Sequence, residues 1–528
     1  MVNPQLKVEF LQLQETRMTN NELKMKIKDK IQQYTITALD PCCEQRAFDT
    51  IEEGLKEKND GLENLKRVTY AEVTLVFLLL FVPFLIKAQD INPKLSKKEA
   101  IEDIRFLKHK LEQSHPGMHR FTSKETMDEA YSQSISTIDD IYLFKFYGEV
   151  SKLLSYIRCG HTQADLPNRT SNLYLDELSR IPFEVSFLDG KMVVAKDYSD
   201  QPLERGTEIL SIDGKKSEEL VLELFQRLNG DGYVESFKYK YLEYYFWLLY
   251  PLYYTEDGLP SSYTIEYRKP FEDVTRKVVL SGLSPFDIEE MKEKESKNEK
   301  PRSLKIEEDY ALLTIKTFTG GKSDRYYSFL KRSFEKINQS GVENLIVDLR
   351  DNDGGADDYG AEFVRYLADG SFNYFDRIEV TEHYANQNER VKSKNGRHFW
   401  PDHPGLKKWS PAEQRFEGNV YVLINGISFS TTADVASVIY DNDWATFIGQ
   451  ETGGGAYGNT SGHSTSIRLP NSKIVVDLPY WMYFTALKKE YPKGRGVIPQ
   501  YVTSLSLQEF IDGTDVEMQK ALSLIGGN

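Results

Sequence analysis

Four apolar runs in the second half of the chain, "YALLTIKTF", "ENLIVDLRDNDGG", "GNVYVLING" and "WATFIGQETGGG", are too continuous for strands with one wet face. Between them lie stretches with helical spacing, such as "RYYSFLKRSFEKI" and "GAEFVRYLA". Buried-type strands alternating with helices predict an α/β core, here from about Leu304 to Leu507. One core rarely organises 528 residues, so two or three domains are expected.

The first half supplies the others. From Ser96, "SKKEAIEDIRFLKHKLEQSHPG" repeats apolar residues at helical spacing and stops at Pro116-Gly117. "SKETMDEAYSQSISTI" and "DIYLFKFYGEVSKLLSYI" continue in that style, which predicts a helical domain over 89–175. Short alternating strands broken at Asp189-Gly190 and Asp213-Gly214 predict a β-rich module over 176–285. The aromatic-dense "YVESFKYKYLEYYFWLLYPLYY" reads as a core helix and strand edge of that module. The charged, non-periodic run "MKEKESKNEKPRS" marks a linker, placed at 286–303; the core follows at 304–510, and a tail helix at 511–528.

Residues 1–64 are polar and stay unassigned. Over 65–88, a basic start, an apolar run from Val73 to Ile86 and a small residue at Ala88 have signal-peptide anatomy. The run is short for a membrane span and contains Pro83. Export to a periplasmic or extracellular site is expected, with a true start near Leu65. The alternative is a membrane anchor, or a transient membrane contact, through 73–86. A balance of 66 basic against 81 acidic residues, net -15, leaves no long basic stripe for phosphates and argues against a nucleic-acid partner. Three cysteines, Cys42, Cys43 and Cys159, have no zinc or disulfide spacing, and no cofactor or metal is expected.

Ligands of an open α/β sheet bind beyond the carboxyl ends of its strands. Three glycine-bearing or hydroxyl-rich stretches fall there: "DLRDNDGG", "ISFSTTAD" and "ETGGGAYG". Glycines leave backbone N–H groups unobstructed, as an oxyanion requires, although each stretch also suits an ordinary turn. In "ISFSTTAD", Thr431 and Asp434 have capping-box spacing and are expected to cap a helix, with Ser430 equally able to cap it. A serine at a helix N-terminus also feels the positive end of the dipole. No G-x-S-x-G elbow is present, which excludes the α/β-hydrolase arrangement. Of eight histidines, His161 stands out between Gly160 and Thr162, where a helix gives way to extended chain.

At these residues the chain resembles the serine peptidases of the C-terminal processing protease and tricorn core family. "VDLRDNDGG" is similar to the family's D-L-R-x-N-x-G-G, "FSTTADVA" to F-S-A-A-E-D-F-A, and "GQETGGG" to G-x-x-T-G-G-G. "EQSHPGMHRFTSKE" and "IRCGHTQ" resemble the helical domain preceding the core, and "ERGTEILSIDG" the PDZ-like module. The resemblance runs from Ser96 to Leu507. It implies an α+β multidomain protein with an N-terminal helical domain, a PDZ-like β-rich module and a ClpP/crotonase-like α/β peptidase core. It makes Ser430 the nucleophile and His161 the base, with Gly354 or Gly355 and Thr431 supplying the oxyanion N–H groups. The branch that uses lysine carries it where this chain has Gly455, so the histidine-based, tricorn-like branch is implied. Three family acids are missing: Ala433 replaces the glutamate after the nucleophile, and "KGRGVIPQ" has Lys493 and Gln500 at acidic positions. Glu451, Asp477 and Glu490 are the candidates for the third triad member. The implied activity is an exported serine endopeptidase cleaving extended peptides or the tails of unfolded proteins. The rival reading is a weak or inactive peptidase-fold protein that binds peptide or an apolar ligand.

Overall fold

In the computed structural model, residues 92–527 are described except 169, 172, 173, 175–178, 255–259, 285–299 and 321–324. The polar segment 1–64, the apolar run 73–86 and most of the 286–303 linker lie outside the described residues. No helix among the described residues is long and apolar enough to cross a membrane.

The helical layer consists of α1 (Lys97–Ser114), α2 (Lys124–Thr137) and α3 (Leu143–Ser155). Ser96 and Glu99 start α1 with a reciprocal capping box. The module that follows is an antiparallel sheet of β1 (Phe183–Leu188), β2 (Lys191–Asp197), β3 (Glu208–Ile212), β4 (Ser262–Arg268) and β5 (Thr275–Ser281), paired in that order. It packs against α4 (Ser217–Phe225) and α5 (Ser236–Tyr254). The aromatic-dense stretch is thus a helix, and its Leu242, Phe246 and Tyr250 enter the module's core.

The central sheet holds β6 (Arg302–Ile306), β7 (Ala311–Ile315), β8 (Asn344–Asp348), β10 (Asn419–Ile424), β11 (Thr446–Gly449) and β14 (Tyr501–Val502), side by side in that order. All neighbours are parallel except β6 and β7. Alternate residues of each strand face opposite layers. Leu345 and Val347 meet α6 (Tyr326–Ser340), α7 (Asp357–Arg365) and α8 (Thr431–Asp441) on one side. Ile346, Leu423 and Ile448 meet Met518, Ala521 and Leu524 of the C-terminal helix α10 (Val516–Ile525) on the other. Both faces are covered, which is why these strands read as continuous apolar runs.

A second sheet, not read in the sequence, pairs β9 (Phe375–Val380) and β12 (Thr460–Arg468) with the long β13 (Val475–Thr485). The short strand Ala164–Asp165 joins its far end, Ala164 opposite Val476. This pairing ties the exit of the helical layer to the core. Asp103 of α1 adds a second tie, its buried carboxylate accepting from the N–H groups of Asn471 and Ser472, both at 2.8 Å, and from the Ser472 hydroxyl at 2.6 Å.

Candidate active site

Ser430 follows β10 and occupies the N-cap position of α8 with φ 52° and ψ −128°. A positive φ at a residue with a Cβ costs conformational energy and holds only where the surroundings impose it. Here the surroundings are three stitched loops. Asn352 accepts the Gly354 N–H on its side-chain oxygen, donates its amide to Ile315 O, and accepts the Phe429 N–H on its backbone oxygen. Asn425 and Asp351 bind each other, and the Ser428 hydroxyl donates to Leu349 O. Gly453 N–H donates back to Ser428 O. A Cβ on Gly354 would come within 2.7 Å of the Ser430 Cβ, and one on Gly454 within 2.6 Å of the Ala433 Cβ. Glycine is the residue that lets these backbones close around Ser430.

The capping expectation needs correction. Ser430 is the N-cap, and its side chain makes no capping hydrogen bond. Thr431 Oγ1 instead lies 2.8 Å from Gly355 O and 2.7 Å from Asp357 Oδ1, its one proton available to either. Asp434 is buried, accepting from Thr485 Oγ1 at 2.9 Å and Asn459 Nδ2 at 3.2 Å. Burial outweighs these bonds and holds its carboxyl well above the usual carboxylate range. That carboxyl is taken up by Thr485 and Asn459 rather than by the first turn of the helix, so propensity yields to tertiary packing.

The Ser430 hydroxyl lies 3.0 Å from His161 Nε2. That ring is stacked on Phe429 at 4.7 Å between centroids, and Phe429 packs against Phe237 of α5 at 4.8 Å. A Cβ on Gly160 would come within 2.5 Å of the Phe429 ring, so glycine permits the approach. The histidine loop is fixed from both sides. Buried His115 accepts the Gly117 N–H on Nδ1, so its own proton sits on Nε2 and goes to Thr162 Oγ1 at 2.8 Å. Gln163 donates to Gly160 O, and Asn229 to Thr162 O. Burial lowers the His161 pKa, and the nearby Asp231 and Asp357 carboxylates oppose that shift without reversing it. The ring is therefore neutral, and able to accept a proton, at neutral pH.

Of the two oxyanion glycines, Gly354 gives its N–H to Asn352. The N–H groups of Gly355 and Thr431 carry no hydrogen bond among the described residues. None of the three acids considered for the triad is bonded to the histidine. Glu451 forms a bidentate pair with Arg495 at 2.8 and 2.6 Å and accepts the Gly496 N–H. Asp477 accepts from Ser466 on the neighbouring strand, and Glu490 is exposed after β13. His161 Nδ1 is buried with no hydrogen-bond partner. The acid beside the ring is Asp231, which the sequence reading missed because "NGDG" looks like an ordinary turn. Asp231, His161 and Cys159 form the one group of metal-ligand atoms found together among the described residues, all within 4.8 Å. Burial pushes the Cys159 thiol up to about 12, and it donates to Thr460 O at 3.2 Å.

Residues 309–503 match the model of peptidase family S41. The match covers the α/β core and identifies it as an S41 peptidase domain. It is a serine-type peptidase. The matched stretch carries Ser430, whereas His161 lies outside it, so the histidine's part rests on the geometry above. Among solved structures, mature CPAF complexed with lactacystin is similar at 16% identity and a TM-score of 0.58, covering 82% of this chain and 99% of that one. Mature CPAF alone is similar at 16% identity and a TM-score of 0.55, covering 82% and 98%. At such identity these likenesses speak for the fold. A search among curated proteins finds no match to the sequence.

Proposed function

We propose that this serine-type peptidase cleaves extended peptide segments by Ser–His catalysis outside the cytoplasm. His161 Nε2 takes the proton of Ser430 Oγ as the oxygen bonds to the scissile carbonyl carbon. The carbonyl π electrons move onto its oxygen, between the N–H groups of Gly355 and Thr431. The imidazolium then gives that proton to the departing amine as the C–N bond breaks, and water hydrolyses the acyl-enzyme by the same route. The observation that carries this reading is the 3.0 Å contact between Ser430 and His161, beside two unengaged N–H groups. The antiparallel module β1–β5 is read as PDZ-like, an edge strand receiving the substrate by β-augmentation. Export rests on the apolar run 73–86.

A fluorophosphonate probe is expected to label the purified protein stoichiometrically and to leave Ser430→Ala unlabelled and without peptidase activity. Unchanged cleavage by Ser430→Ala removes the mechanism, and no labelling of folded wild type turns the reading toward a binding protein. Mass spectrometry of the exported protein is expected to find no residue before Leu65.

A further inference from the structure

Where the resemblance leads one to expect acids this chain has Ala433, Lys493 and Gln500, and the three acids considered for the triad are engaged or exposed elsewhere. The buried Nδ1 of His161 faces no hydrogen-bond partner, a costly state for a ring that must carry positive charge during turnover. Asp231 stands beside it. The carboxylate is 3% exposed and anchored by two backbone donors, Gly160 N–H at 2.8 Å and Gly455 N–H at 3.4 Å. One of these glycines adjoins the histidine, and the other belongs to the glycine loop after β11. The Asp231 turn is also sewn to the histidine loop: Gly232 N–H donates to Arg158 O at 2.9 Å, and Arg158 returns a bond to Gly232 O. A ring nitrogen of His161 and an oxygen of Asp231 lie within 4.8 Å, a gap that one bridging water or a modest side-chain rotation closes.

We propose that Asp231 is the positioning acid of this peptidase, holding the His161 proton on Nδ1 so that Nε2 faces Ser430 as a base, and stabilising the imidazolium that forms. The proposal rests on the Ser430–His161 reading. It moves the acid from the C-terminal part of the core to the turn before α5, in a different module from the nucleophile. The charged or titratable groups around the ring are Asp231 before α5, Asp357 at the start of α7 and Cys159 on its own loop. Those around Asp231 are Arg120 and Cys159, and Asp434 lies within the same field. Arg120 donates to Tyr457 O at 2.9 Å, so its charge faces the acid without a bond that would occupy the carboxylate. A side chain built on Gly455 would point toward the Asp231 Cβ, 3.9 Å away.

The test compares wild type, Asp231→Asn, Asp231→Glu and Ser430→Ala in the full chain. Asp231→Asn is expected to lower kcat about 100-fold or more with little change in KM, and to move the acid limb of kcat/KM to lower pH, because a carboxylate that favours the charged ring is gone. Asp231→Glu is expected to recover part of kcat and the original limb. A purely structural role would move neither the limb nor kcat selectively. If Ser430→Ala is dead while Asp231→Asn keeps wild-type kcat and limb, this assignment fails and the Ser–His reading stands; if Ser430→Ala is active, that reading fails first. Should Asp231→Asn not fold, nitrogen NMR of histidine-labelled wild type at pH 8 decides. A neutral His161 protonated on Nδ1 supports the proposal, and one protonated on Nε2 overturns it.

Discussion

At the scale of single residues, the site is a contest between burial and charge around one imidazole. Burial wins at His161, and its pKa falls below the usual 6.5. The form needed for attack is the neutral one, which is lost only when the pH drops through that lowered value. The acid limb of kcat/KM is therefore expected to have its midpoint below 6.5, with activity flat between pH 7 and 8; a midpoint above 6.5 would mean that the carboxylates outweigh burial. The coincidence of hydroxyls, strand end and helix start marked the stretch around Ser430 in the sequence, but choosing Ser430 as nucleophile took the family resemblance. The histidine needed it too, since nothing about "CGHT" alone separates a base from a structural ring. Asp231 was not legible at all: its role comes from a turn folding onto a loop far away in the chain, which no local spacing encodes.

At the scale of elements, the parallel strands announced themselves because both their faces are dry. The second sheet did not. Its β12, "TSGHSTSIR", is polar along most of its length and acquires meaning only by pairing with β13. That pairing matters because β13 also receives Ala164–Asp165 just after His161. The other tie between helical layer and core is Asp103, whose carboxylate satisfies three donors of Asn471 and Ser472 at 2.8 Å or less. Asp103→Ala leaves the two Ser472 donors buried and the Asn471 N–H half-buried without their partner, and a loss of about 3 kcal/mol is expected in denaturant unfolding. Because the tie anchors the layer that carries the base, fluorophosphonate labelling of Ser430 is expected to slow as well. Unfolding and labelling both at wild-type levels would show that the strand pairing suffices.

At the scale of the whole molecule, the C-terminal helix closes the far side of the central sheet. Arg350, from the "DLR" stretch, grips Asp348 and Asp515 with two bonds each and reaches Glu517 at 3.2 Å. Asp515 in turn caps α10, whose apolar face covers Ile346, Leu423 and Ile448. Arg350→Ala strands three carboxylates and is expected to destabilise by about 3 kcal/mol, seen as a lowered Tm. Arg350→Lys is expected to recover little, because an ammonium cannot reproduce the planar fork. A Tm unchanged in Arg350→Ala would mean that apolar cover alone holds the helix.

Ser430 and His161 are separated by 269 positions along the chain and meet only where the helical layer docks on the core. Their meeting acts as a checkpoint in the life of the molecule. A chain growing from its N-terminus makes its base early and its nucleophile late, and neither cuts anything alone. On the proposed mechanism, hydrolytic power therefore appears only once both parts are assembled, and a nascent or misassembled copy is harmless to its neighbours.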